Sequence, residues 1–541
     1  MTVDALNQSN YHRSRKSHKV RRRAPWSQYS SLVAALILGL LFALFPVRVA
    51  FALVVGTAVI LLILIQPLFG LALALLTGPL GALEQLLSGI ISIDSSQFLL
   101  LLTVMSWIGR GLVRRRIEIP RTFLNLPLLL FICIGYISLL DTVSITMGLK
   151  ELLKWLEIAV IMLMVLDLGR EGARRGNGAQ NRSLLGGPPR TIWIVGMLLL
   201  AGLSQALIGI WQFGLREDGP EHFLILSRYY RAYGTYEQPN PFGGFMNLTV
   251  LLALGILAGL LTAWWLWLRH RSMEIENPKT LFPGWRVLIL TIAVAVIAAL
   301  TVIALLFSWS RGAWLGFGVG LAAMALFWPR KRIYGVLLLV FALILVLIFL
   351  VSGLMPEAVT VRLTGFATDF TVGDVRGEDI NDENYSVLER QAHWQAGLDM
   401  LRDEIALGVG FGNYADAYGE YALINWPDAL GHAHNYYINL LAEIGIVGLA
   451  AYLLFWTAVL WQTIRLLHVL AWPDRGIALG LLGAWVALAA HHLVDKLYVN
   501  NIYIHLGVMF GLLQLLDWYI TEMRRGAESD NGSDFNWKSG F

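Results

Sequence analysis

Uninterrupted apolar runs constrain this chain more than any other feature. SSLVAALILGLLFALF, VLILTIAVAVIAALTVIALLF and IYGVLLLVFALILVLIFLV each approach or exceed the length a helix needs to cross a bilayer. At 1.5 Å per residue that length is roughly 20 residues. Such runs recur along almost the whole sequence. Composition agrees: 57% of residues are hydrophobic and only 14% charged, against roughly 25% charged in soluble domains. The reading is an all-α polytopic membrane protein. Fourteen runs qualify as helices, near 30–46, 48–66, 68–88, 96–112, 123–140, 148–168, 191–213, 242–267, 287–307, 313–328, 333–352, 436–462, 476–494 and 502–519. If the third and sixth are re-entrant, the count becomes twelve. The sixth carries Lys150, Glu151, Lys154 and Glu157 at helical spacing, which predicts charges paired near the membrane boundary.

Basic residues should concentrate in alternate short loops on the cytoplasmic side. They do so in the N-terminal arm, RGLVRRRIEIPR, REGARRGNGAQNR, LRHRSMEIENPKTLFPGWR, WPRKR, the stretch around Arg465 and Arg475, and MRRG. The alternate connections then fall outside, and both termini are cytoplasmic. The organisation follows: a basic arm over 1–29, membrane helices over 30–352, an extracytoplasmic loop subdomain over 353–435, further membrane helices over 436–519 and a cytoplasmic tail over 520–541. The loop is the one long polar stretch between helices, and loops of that length tend to be functional or to carry their own secondary structure. Within it, SVLERQAHWQAGLDMLRDE has helical periodicity and GVGFGNY is a glycine-rich turn.

The arm RSRKSHKVRRR stands beside a membrane helix with no small-residue cleavage site after it. It reads as a topology signal or anionic-lipid contact, not as a nucleic-acid arm. Cys133 is the one cysteine, so intramolecular disulfides and cysteine metal clusters are excluded.

Sorting polar residues by side brings Arg231, Arg311 and His434 to the outer face from three separate parts of the chain. Arg231 opens RAYGTYEQPNPFGGF, a stretch whose prolines and glycines predict a structured turn; alone, it fits an interfacial arginine reaching lipid headgroups better than a site residue. Arg311 lies in FSWSRGAWLGFG between two apolar helices with almost no loop. Charge is costly there, and a phosphate is a good partner for a planar guanidinium. His434 stands at the mouth of the twelfth helix, where an imidazole accepts a proton from a hydroxyl or serves only as a hydrogen-bonding residue. His491 and Asp495 are spaced as a possible metal pair, with His492 beside them, but no third ligand is evident nearby. GDVRGEDINDEN lacks the order of a calcium loop and reads as solvated. The chain has no Walker A loop and no DxD-like pair at the first outer connection, which argues against nucleotide-driven transport and metal-dependent glycosyl transfer.

His434, Asn435, nine residues, Gly445, two residues and Gly448 reproduce the signature of the O-antigen ligase family, placed directly after the long outer loop. Arg311 in SRGAW and Arg231 in RAYGT look like that family's outer-face arginines. The resemblance runs from about Trp193 to Leu516 and includes an ER-x-x-W-like element at Glu389, Arg390 and Trp394 and the turn from Gly408 to Tyr414. It implies a GT-C-like membrane glycosyltransferase in the cytoplasmic (inner) membrane, working extracytoplasmically. The reaction would move a glycan, with inversion and without metal or cofactor, from undecaprenyl diphosphate to a lipid or glycan acceptor. His434, Arg311 and Arg231 would be catalytic, and Asn435, Arg390, Tyr414 and Glu389 would bind substrate. A polysaccharide polymerase and a protein O-oligosaccharyltransferase fit the same resemblance. A secondary transporter is the reading from another class, although its expected ionisable groups lie near mid-membrane.

Overall fold

A computed structural model describes residues 42–88, 94–115, 119–175, 190–216, 218–271, 285–353, 374–381 and 384–530, with positions 33, 36, 37, 39, 40, 357–360 and 362 besides. The basic arm, much of the first expected helix, the end of the tail and parts of the loops 170–182, 268–286 and 352–434 lie outside the described residues.

Among the described residues nine helices are long and apolar enough to cross a membrane, and three shorter apolar helices accompany them. The chain is a multi-pass, all-α membrane protein. One compact unit, Met1–Ile65, carries α1 (Val47–Ile65). The second, Gln66–Phe541, holds everything else. The third expected helix is broken: α2 (Pro67–Thr77) and α3 (Gly81–Ser88) flank a 3₁₀ turn at Gly78–Leu80. Pro79 offers no backbone N–H to continue the ladder. After α4 (Ser95–Val113) and α5 (Asn125–Ile137), the charged sixth segment forms one continuous helix, α6 (Ile145–Arg175). Of its four expected charges two pair with each other, Lys154 Nζ standing 2.8 Å from Glu151 Oε2. Lys496 joins the same carboxylate at 3.4 Å from the far end of the sequence.

The heart of the bundle is α7 (Thr191–Gly214), α8 (Pro239–Arg271), α9 (Trp285–Phe307), α10 (Arg311–Phe327), α14 (Tyr436–Val469), α15 (Arg475–His491) and α16 (Ile502–Asp530). Between lipid-solvated helices there is little hydrophobic drive, so association rests on close packing of small residues. Glycine stripes supply it. A Cβ on Gly255 would lie 2.3 Å from Gly480 N, and Gly259 packs equally closely against Pro473 and Gly476, pressing α8 against α15. On the other side of α15, Gly312, Gly316 and Gly320 of α10 rest on His491, Ala487 and Gly483. In contrast α11 (Arg332–Val351) exposes almost its whole apolar surface, as a lipid-facing helix does.

Between α11 and α14 lie α12 (Tyr385–Asp403) and α13 (Tyr414–Tyr421), which share a small core of Leu388, Ala392, Ala396 and Met400 with Tyr414, Tyr418, Trp426 and Ala433. This core is fastened to the bundle at a break in α14. Gly445 has φ 63° and ψ −167°, an arrangement open essentially to glycine alone. The break frees backbone groups, and the chain from Ile405 to Gly410 takes them up. Val409 N and Gly410 N donate to the Ala442 and Glu443 carbonyls at 2.9 and 3.0 Å, while Ile446 N and Val447 N donate to the Ile405 and Ala406 carbonyls at 3.0 and 3.3 Å. Phe411 continues into the bundle beside Gly135 and Phe131.

Candidate active site

Arg231 is placed by a two-strand hairpin, β1 (Leu224–Ile225) against β2 (Tyr229–Tyr230), with Leu224 opposite Tyr230. Leu226 and Ser227 between the strands both have positive φ, as tight hairpin turns require. Arg231 N donates to the Phe223 carbonyl at 2.9 Å, and Ala232 N to the Phe307 carbonyl at 2.8 Å. The hairpin is therefore tied to the end of α9. From there Arg231 Nε donates to the Ser308 carbonyl at 3.0 Å.

The next residues form the tight turn into α10. Trp309 has φ 52°. Ser310 caps the helix, its Oγ accepting from Ala313 N and donating to Asn240 Oδ1 at 2.8 Å. Arg311 is thus the first residue of α10, a position where a helix dipole disfavours a cation and favours an anion. Arg362 reaches the same turn, donating from Nη2 to the Trp309 carbonyl at 3.2 Å. Arg390 comes from α12, its Nη1 donating to the Ser386 carbonyl at 2.6 Å.

These four guanidiniums feel one another. Burial, then Arg362, Arg390 and Arg311, pull Arg231 down to about 9; burial, then Arg311 and Arg390, pull Arg362 down to about 10. Both stay charged at neutral pH. Holding like charges together in a partly dry place is unfavourable unless an anion joins them.

His434 stands beside this cluster, just before α14, with φ 51°. A non-glycine residue held in the left-handed region costs of order 1–3 kcal/mol and persists where the surroundings fix it. They do so here. Asn435 Oδ1 caps α14 by accepting from Tyr437 N and Ile438 N at 3.0 and 3.2 Å. Asn439 Oδ1 accepts from Ala433 N at 3.1 Å, and Tyr436 N donates to the His492 carbonyl at 2.8 Å. Both His434 ring nitrogens are buried with no hydrogen-bond partner among the described residues. Burial, with His432 adding to it, pushes the imidazole down to about 3, so at neutral pH it is uncharged.

Two histidines enclose it. His432 lies with its ring centroid 4.5 Å away and His393 at 5.5 Å, both edge-on. His432 Nδ1 accepts the His434 backbone N–H at 3.0 Å. A neutral imidazole that accepts at Nδ1 carries its proton on Nε2, and that nitrogen faces Asp495 Oδ1 at 3.6 Å.

His432, His434 and Asp495 offer ligand atoms within 4.8 Å of one another, close enough for a metal ion. The hydrogen bond at His432 Nδ1 opposes one. A metal on His432 Nε2 needs the proton moved to Nδ1, where the His434 N–H already points. The geometry matches a carboxylate holding a histidine tautomer.

Arg231, Arg311, Arg390 and His434 therefore converge. Asn435 lies beside them, but its carboxamide oxygen is occupied as a helix cap. Tyr414 is fully buried in the small core, its hydroxyl donating to the His393 carbonyl at 3.0 Å and lying 3.1 Å from His393 Nδ1; it supports the wall behind His434. Glu389 is half-buried next to Arg390, and burial raises its carboxyl against the pull of Arg390 and Tyr385. Sequence reasoning missed Arg362, His393 and His432. His432 had a visible signal in the H-A-H spacing before Asn435; Arg362 and His393 had none. Asp495 was singled out with His491, but in the fold its carboxylate also meets His432, which comes from across the loop.

No curated protein matches the chain. A family model described as O-antigen ligase matches residues 296–453, a stretch that includes Arg311, Arg362, Arg390, His432 and His434 while leaving Arg231 and Asp495 outside. This segment, which spans the centre of the site, matches the O-antigen ligase family.

Proposed function

We propose that the protein transfers a glycan from undecaprenyl diphosphate to an acceptor hydroxyl at the extracytoplasmic side of the cytoplasmic membrane. The observation that carries this reading is the convergence of Arg231, Arg311, Arg362 and Arg390 near an uncharged His434 whose ring nitrogens have no hydrogen-bond partner among the described residues. A lipid-linked diphosphate answers the charge of the cluster, and the start of α10 adds its dipole to the same anion. The distribution of basic loops supports the sidedness.

In the step so arranged, the acceptor oxygen attacks the anomeric carbon of the glycan from the face opposite the diphosphate. The carbon–oxygen bond to the phosphate breaks, and its electron pair stays on the departing diphosphate oxygen. Preorganised guanidiniums stabilise that growing charge where water is scarce. The acceptor proton passes to a ring nitrogen of His434. A bound diphosphate nearby raises the proton affinity of the imidazole by opposite charge. His432, kept in its tautomer by the His434 N–H and by Asp495, buttresses the ring. No step needs a metal, and the tautomer of His432 favours none.

The test reconstitutes the protein with radiolabelled glycan on undecaprenyl diphosphate and a host envelope extract, comparing wild type with His434→Ala. Label should move to a new acceptor with wild type and fall by about 10² to 10⁴ in rate without the base. Undiminished transfer by a well-folded His434→Ala protein removes His434 from this role; transport of the solute with no covalent product removes the transferase reading.

A further inference from the structure

The arginine cluster holds more positive charge than the proposed donor brings. Each phosphate of a glycan-linked lipid diphosphate is a diester-like group with one ionisation, giving two negative charges. Once the glycan has left, the terminal phosphate is a monoester whose second ionisation lies near pH 6. The departing lipid diphosphate therefore carries close to three charges at neutral pH. Arg231 and Arg311, fixed on the hairpin and the start of α10, suffice for the charge that develops on the leaving oxygen.

Arg362 is the additional member. It comes from the segment between α11 and α12, and its Nη2 rests on the Trp309 carbonyl, next in the chain to the Ser308 carbonyl that holds Arg231. Its Nε is buried with no hydrogen-bond partner among the described residues. A guanidinium has five N–H donors in a planar fork, and among the described residues the contact to Trp309 takes up one of them and leaves the others for an anion. Among charged groups, those that act on Arg362 are other arginines, Arg311 and Arg390; the carboxylate near the cluster, Glu389, acts on Arg390.

Building on the transferase reading, we propose that Arg362 is a specificity-determining residue that makes the site hold the departing lipid diphosphate more tightly than the glycan-bearing donor. Turnover is then limited by product release.

Binding to the purified full-length protein in lipid nanodiscs tests this without relying on transfer. Undecaprenyl diphosphate and the glycan-linked donor are titrated separately against wild type, Arg362→Gln and Arg362→Lys. The expected result is that wild type binds the free diphosphate about tenfold or more tightly than the donor, one added charge-assisted contact being enough for that ratio. Arg362→Gln weakens the free diphosphate far more than the donor and so abolishes the preference, the donor binding that remains showing that it is folded, and Arg362→Lys keeps part of it. Equal affinity of wild type for the two lipids, or an equal loss of both in Arg362→Gln, overturns the proposal while leaving the transferase reading in place. Failure of wild type to bind either lipid overturns that reading as well.

Discussion

Replacing Gly445 with alanine should detach the small core from the bundle. The perturbation has two parts. A side chain at φ 63°, ψ −167° carries about 1–3 kcal/mol of backbone strain. Its Cβ would also stand 2.3 Å from both the carbonyl carbon and oxygen of Ala406 and 2.6 Å from Leu407 N. All three are backbone atoms, so no rotamer change relieves the overlap and the chain from 405 to 410 must move. That chain is held through the four backbone hydrogen bonds across the break, each worth about 0.5–1.5 kcal/mol. Strain together with the loss of two such bonds amounts to about 4 kcal/mol, or roughly a thousandfold in the local opening equilibrium. Hydrogen exchange read by mass spectrometry on the protein in detergent resolves it. Protection over 405–413 and 442–447 should fall by about that factor, while amides of α8 and α15, packed through other glycines, keep theirs. Transfer should fall too, because α12 brings Arg390 to the site and His393 to the wall behind His434. Wild-type protection over 405–413 together with wild-type activity would refute the reasoning.

Arg311→Gln should lower kcat by about 10² to 10³, the usual effect of removing one preorganised donor, and Arg311→Lys should recover part of it; steady-state transfer assays compare the three proteins. Acid should destabilise the site. Burial holds His393 at about 4 and His432 and His434 at about 3, below the 6.5 of an unfolded histidine, so the unfolded chain binds more protons. Stability is therefore complete above about pH 6.5 and declines as pH falls towards the folded values; thermal unfolding in detergent from pH 7.5 to 5 should show it, with a shallower slope in His432→Asn. Transfer should persist in excess EDTA, since His432 presents a protonated nitrogen to Asp495; loss of activity restored by a divalent cation would reverse that reading. Asp495→Asn should reduce kcat with little change in donor KM, and an unaltered kcat would leave the carboxylate without a part in the reaction.

Much of the fold was legible because its signal is local. An apolar run of membrane-spanning length announces a helix whatever surrounds it, and the helices found follow those runs. Local signals failed where neighbours decide. Gly445 lies inside an apolar helix pattern, and only the chain at 405–410 explains why the helix breaks there. Asn435 is adjacent to the histidine of the signature and reads as a substrate contact, yet the backbone N–H groups of α14 claim its oxygen. Tyr414 reads likewise from its glycine-rich turn, and the small core absorbs it.

By itself the sequence determined that this is a many-helix membrane protein, that basic loops alternate, and that Arg231, Arg311 and His434 belong at one end of the helices. Those properties depend on the length, hydropathy and order of segments, which are functions of neighbouring residues alone. Tertiary structure decided which side chains share the site. Arg362 joins through the Trp309 carbonyl, His432 faces Asp495 across sixty residues of chain, and α15 lies close enough to α8 and α10 for this only because glycine stripes meet on both of its sides. Such contacts between distant segments depend on packing and charge in three dimensions, and no pattern along the chain records them.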